Sequence, residues 1–435
     1  MSSLETMKVV QEVCSAETLQ ESYLLYMAFK ERLKGWRFVL ANDRGNFTHS
    51  GLHSQFPNTA VVRSLFSTKQ VSVLDEYTVE DMQANIQIPF DYSIALDTQA
   101  LSYLHPYIFG SKQLSEGVDA DMVEVFDFLS REDVNCDPSP YLHENTRNIA
   151  RGDHVDEVYN SLYAYEILKT LDVNKYKSSK KIESLYSDAE NFKSVQYLLS
   201  SQTYTLNADA RLLDGARKRY FQILCTILKI VEIGIGSKKS RENKAISLLE
   251  FMHQNMATLM HRELMVGCAF FELGANFDFF DKIHKGNPKL FSYIPSMTWD
   301  LLHLREREEA STLLPIEGTR YFFSAFLTFD RRLASVIDKF PVRVMALSPD
   351  SIPYNFYQKD TTSFLDDFLG SKVSNIYKFF DESAALDRDL RRENDTSYYF
   401  DLAKEIAGRI AEINGSPVPE DFWSVIYALV LIRLK

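Results

Sequence analysis

Residues 321–347 read YFFSAFLTFDRRLASVIDKFPVRVMAL, and this stretch decides the fold class. Tyr321 to Thr328 is a strand-like apolar run that ends in Phe329-Asp330. Arg331 to Phe340 reads as a short helix. Val342 to Leu347 is a further strand-like run, closed by Ser348-Pro349. Strand, helix and strand in this order predict a βαβ unit, and so a parallel sheet in an α/β fold.

Working outward, Tyr92-Ser-Ile-Ala-Leu96 is a second short apolar run, and it ends in Asp97-Thr98. That pattern fits a buried strand delivering an Asp at its carboxyl end. In a parallel sheet, ligands collect beyond the carboxyl ends of the strands, so Asp97 and Asp330 are candidates for one site. Trp299-Asp-Leu-Leu-His-Leu-Arg305 is expected to open a helix with Asp300 near its start. Like charges buried side by side are costly unless protons or cations compensate. Magnesium and manganese select oxygen ligands of this kind.

The passage SIALDTQALSYL resembles the first strand and helix of PIN-like nucleases, with Gln99 where the family usually has Asn. WDLLHLRERE resembles the family's third acidic motif, and FLTFDRRLASVIDKFPVRVMAL its closing strand–helix–strand unit. The resemblance implies a PIN-like parallel sheet core, discontinuous over 89–153 and 295–350. A helical insertion over 154–294 would separate the two parts. A mainly helical N-terminal extension (1–88) and a helical C-terminal region (351–435) would flank them. It implies a metal-dependent nuclease in which Asp97, Glu144, Asp300 and Asp330 hold Mg2+ or Mn2+. The implied substrate is nucleic acid, RNA in preference to DNA, and the implied biology is a bacterial defence or toxin effector. Glu144 matches the family's second acid by order and spacing; Glu272, Glu263 and Glu166 are alternatives. Thr98 and Thr328 would hydrogen-bond the ligating carboxylates.

The 435 residues suggest two or three compact units. Abundant Tyr and Phe with sparse Gly and Pro favour long helices and a large core. The formal net charge of −12 argues against a general nucleic-acid coat but not against a nuclease, because a cation-binding site is itself acidic. Cys14, Cys136, Cys225 and Cys268 are far apart and form no zinc or disulfide pattern, as in a reducing cytoplasm. The start MSSLETMKVVQEV lacks the apolar core of a signal peptide. Phe221 to Gly236 is interrupted by charges and Val425 to Leu434 is short, so both read as buried helices rather than membrane spans.

Each feature also has a plainer reading. An Asp after a strand is often a helix cap. His143 and His303 fit helix surfaces or the core. Gly234 and Gly236 fit a helix end, since no phosphate-loop motif surrounds them. The basic stretches Lys175 to Lys181 and Lys238 to Lys244, with Tyr176 and Tyr186, could meet a nucleic-acid backbone or simply be solvated. Arg305, Arg307, Arg331 and Arg332 flank the acidic motifs, although Arg305 and Arg307 could pair with Glu306, Glu308 and Glu309. The alternative functions are a non-catalytic helical interaction protein with a degenerate PIN-like core, binding a protein partner through its helices, and a DNA-directed nuclease.

Overall fold

The computed structural model describes residues 3–42, 47–48, 53–68, 70–79, 90–208, 210–310, 321–348, 353–391 and 395–423. The chain is mixed α/β, with two sheets set among helices. Ten strands are described: β1 (Arg37–Ala41), β2 (Phe47–Thr48), β3 (His53–Gln55), β4 (Val61–Ser64), β5 (Gln70–Leu74), β6 (Phe90–Leu96), β7 (Cys136–Asp137), β8 (Tyr321–Thr328), β9 (Val342–Leu347) and β10 (Tyr354–Tyr357). The first sheet has the order β3-β4-β8-β6-β7, and the second β10-β9-β1-β5-β2.

The first sheet carries the parallel core. β6 lies parallel to β8 from Phe90↔Tyr321 to Leu96↔Leu327, and parallel to β7 on its other side. β4 adds antiparallel to β8. Nearly every position of β8 is buried, as expected for a strand covered on both faces, and it therefore reads as a continuous apolar run.

The expected parallel pairing of β8 with β9 does not form. After the helix Arg331–Lys339 the chain crosses to the second sheet, where β9 is antiparallel to β1 and to β10. Both strands are mostly apolar, and apolar runs do not specify a partner. The sheets are nonetheless joined. Val342 N–H donates to the Leu65 carbonyl (2.7 Å), and Ser67 N–H to the Val342 carbonyl (3.1 Å). Asp75, at the end of β5, accepts from the Tyr321 hydroxyl of β8 and pairs with Arg37 of β1.

The expectation of a mainly helical N-terminal extension also needs correction. Helices Ser3–Ser15 and Leu19–Ala28 are present, but β1 to β5 follow and supply strands to both sheets. The strands are two to five residues long, and β1 and β4 are largely buried on both faces, so these two lack the alternation that announces a strand. The region is part of the core rather than an appendage. In the C-terminal region, β10 likewise joins the second sheet before the helices begin. The helix expected over Val425 to Leu434 falls outside the described residues.

Residues 154–294 are almost wholly helical, as their periodicity suggests. The helix Ala210–Gly236 packs against helices Leu290–Ala310 and Thr396–Asn414. Gly234 lies inside its last turn, where the Phe270 ring approaches so closely that a Cβ would overlap it. Among the described residues, no helix is long and apolar enough to cross a membrane.

Candidate active site

The register of β6 on β8 sets the site. Because Leu96 pairs with Leu327, Asp97 and Thr328 emerge side by side at the carboxyl end of the sheet. The Asp97 N–H donates to the Leu327 carbonyl (3.2 Å). Asp97 caps the helix Thr98–Phe109 by accepting from the Ala100 N–H at 2.5 Å. Asp330 caps the helix Arg331–Lys339 by accepting from the Arg332 N–H at 2.7 Å. The plain capping reading therefore describes both residues, yet a cap uses only part of a carboxylate's acceptor capacity. The Thr328 hydroxyl links them: it accepts from the Asp330 N–H (2.8 Å) and donates to Asp97.

Asp300 does not open a helix. It lies in the middle of Leu290–Ala310, which runs through Pro295 and so starts earlier than the proline suggests. Capping cannot account for an Asp at that position. Glu144 closes the helix Ser139–Glu144, which follows β7, and accepts a short hydrogen bond from the Thr98 hydroxyl.

These four acids share one electrostatic neighbourhood. Burial pushes the Asp97 carboxyl up to about 7, and the charges of Asp330 and Glu144 add to the rise; bonds from Thr328 and Ala100 oppose it. Burial likewise raises Asp300 well above the usual carboxylate range, joined by the charges of Asp330, Glu144 and Asp97, with Arg332 opposing. Asp300 stays partly open to solvent. Arg332 grips both oxygens of Asp330, with Nη2 at 2.7 Å from Oδ2 and Nε at 3.1 Å from Oδ1. The alternative acids sit elsewhere. Glu263 is buried in a two-bond pair with Arg305, Glu272 pairs with Arg241 at the surface, and Glu166 is buried beside Lys169.

The segment RERE after Asp300 links the helix to its surroundings. Arg305 pairs with Glu263 and Arg307 with Asp137 of β7 (2.6 Å), so neither pairs along its own helix, and neither is free to meet a phosphate. Glu306 accepts from His143 (3.1 Å) and His303 (3.0 Å). Burial opposes its ionisation, but these two bonds hold its carboxyl well below the usual range. His303 is buried against the Trp299 ring, and its Nε2 has no hydrogen-bond partner.

A groove of about 700 Å³ opens next to the acids. Thr98, Ser102 and His105 line one wall at helical spacing, and Asn148, Val158 and Ser161 form part of the other. The Thr98 face continues to Phe109, where a row of rings begins. His105 meets Phe109 (4.9 Å), Phe109 stacks on Tyr163 (6.0 Å), Tyr163 on Tyr159 (5.9 Å), and Tyr159 touches Phe192 (5.7 Å). Phe109 and Phe192 are nearly half exposed. Periodicity did not single out this row, because its members lie on three different helices.

The basic stretches fit the plain reading better. Lys175, Lys177 and Lys180 pair with Glu183, Glu132 and Asp127. Tyr176 is buried and bonded to Asp127, which removes it as a stacking surface.

No family model, curated protein or solved structure matches this chain.

The donor set is all oxygen, which suits a hard divalent cation. The strain of gathered acids, seen at Asp97 and Asp300, is what such a cation relieves. Among the described residues, no three His, Cys, Asp or Glu side chains are grouped tightly enough to hold one ion. Two of the four acids are engaged by other side chains, Asp330 by Arg332 and Glu144 by Thr98. Ligation by the whole set requires these side chains to turn.

Proposed function

We propose that this chain is a metal-dependent nuclease of the PIN-like kind that hydrolyses phosphodiester bonds, in RNA in preference to DNA. Asp97, Glu144, Asp300 and Asp330 are the proposed ligands for Mg2+ or Mn2+. The observation that carries this reading is the parallel register that sets Asp97 beside Thr328 and Asp330, within the field of Asp300 and Glu144. A divalent cation supplies hydroxide near neutral pH and offsets charge on the phosphate. The chain's own residues do the positioning. Thr328 orients Asp97, Thr98 orients Glu144, and Arg332 is a cation that can pass from Asp330 to a phosphate oxygen. The groove at Thr98 and His105 offers polar walls, and farther along the same helix Phe109 starts the ring row, suited to a single strand with unstacked bases. Four free thiols suit a cytoplasmic setting, and the defence or toxin role rests on family analogy.

The test is cleavage of labelled RNA and DNA by wild type and Asp97→Asn, with manganese, magnesium or EDTA. Metal-dependent cleavage that the variant loses supports the reading and ranks the substrates. Absence of both cleavage and manganese binding leads to the second reading, a helical interaction protein with a degenerate core. The specific observation favouring that second reading is the hold of Arg332 on both Asp330 oxygens.

A further inference from the structure

A second cavity, of about 580 Å³, lies away from the carboxylates. It is enclosed by the N-terminal helix at Met7 and Gln11, by β10, and by Arg262, Arg305 and Glu308. Glu308 is eight residues beyond Asp300 on the same helix, about 12 Å along its axis. The size is that of a site for a nucleotide-sized ligand.

Its walls carry an unusual concentration of unsatisfied polar atoms. Arg262 is 4% exposed, and its Nη1 has no hydrogen-bond partner. Glu308 Oε1 stands 2.6 Å from Arg262 Nη2, close enough for charge pairing yet out of line for a hydrogen bond. Asn355 Oδ1, on β10, is a third buried atom without a partner. Buried polar groups normally find partners, and one left alone is costly. Two such atoms and a third held by charge alone, from three separate elements at one cavity, are poorly explained by packing alone. The cavity also has aromatic walls in Tyr354 and Phe356, with Tyr357 under the Arg262 guanidinium at 5.4 Å.

We propose that this cavity binds a guanine base, with small rotations of the Arg262–Glu308 pair bringing its orphaned atoms to the ligand. The unmatched set is one donor, on Arg262, and two acceptors, on Glu308 and Asn355. Guanine presents an acceptor at O6 beside two donor groups, N1–H and N2–H2, on one edge. Adenine and uracil each carry a single donor group on that edge. Arginine is the usual partner of guanine O6, and Tyr354 or Phe356 supplies a ring face. The site is separate from the proposed nuclease centre, so it stands or falls independently.

Titration calorimetry with GMP, AMP and UMP tests it, with Glu308→Gln and Asn355→Leu as variants and thermal melting as the check on folding. GMP is expected to bind at least about tenfold more tightly than AMP or UMP. Each variant is expected to weaken GMP binding about five- to tenfold while melting cooperatively. No heat with millimolar GMP on folded protein, equal affinity for AMP, or GMP affinity unchanged in both variants overturns the assignment. Competition between GMP and the tetraribonucleotide GGUU, with AAUU as control, identifies the source. Displacement by GGUU assigns the guanine to an RNA strand, and its absence to a free nucleotide.

Discussion

Asp97 and Thr328 end adjacent parallel strands, and the Thr328 hydroxyl donates to the Asp97 carboxylate. That bond favours the ionised acid, whereas burial and the neighbouring acids favour the protonated one. Thr328→Val is therefore expected to move the acidic limb of any metal-dependent cleavage profile to higher pH, while a folded melting curve is retained. A pH–rate profile of wild type and variant checks this.

The raised Asp97 carboxyl also links stability to pH. It ionises near 7 in the folded chain and near 3.8 when unfolded. Between these values the folded state holds more protons, so without divalent cations stability falls as pH rises through this window. Asp300 acts in the same direction. Asp97→Asn removes its share and is expected to be more stable at pH 7 by a few kcal/mol, at most ~4. Denaturant melts at pH 4.5 and 7.5 measure the difference; a variant less stable at both values contradicts it.

Divalent cations are expected to reverse that loss. Manganese at about 100 times its Kd is expected to stabilise wild type by about 2.7 kcal/mol at pH 7.5. Asp300→Asn is expected to show a much smaller response. Thermal melts with manganese, magnesium and EDTA provide the comparison, and an equal response in the two proteins rules against Asp300 as a ligand.

Arg332 competes with any cation for Asp330. Arg332→Gln is expected to tighten manganese binding, by about tenfold if one charge-assisted pair is released. Cleavage is expected to fall if the guanidinium also meets the phosphate. Calorimetry and turnover, measured on the same preparation, separate the two effects.

Phe109 lies one turn beyond His105 of the groove wall, on the same helix, and stacks on Tyr163. Phe109→Ala, made in the Asp97→Asn background to prevent turnover, is expected to weaken binding of a fluorescent single-stranded RNA. The loss of one stacked base is worth about 1–3 kcal/mol. Anisotropy titration with a matched duplex as control shows whether the effect belongs to unpaired bases.

The amino-acid sequence by itself determined the apolar runs of β6, β8 and β9, the acids that end the first two, and the helical character of 154–294. These are local properties: a mostly apolar run and a capping Asp are written in consecutive residues. Tertiary structure alone decided that β8 takes β6 as its parallel neighbour while β9 crosses to an antiparallel sheet, because apolar strands buried on both faces carry no label for a partner. It also decided that β1 to β4 exist as strands within the core, since segments of two to five residues carry little periodic signal. The same holds for the acids. Sequence places Asp300 near a helix start, but packing extends that helix back through Pro295 and leaves Asp300 mid-helix beside Asp330. Order and spacing pick out Glu144 in the sequence, but its contact with Thr98, between residues 46 positions apart, depends on where β7 and its short helix are set, which no local pattern records.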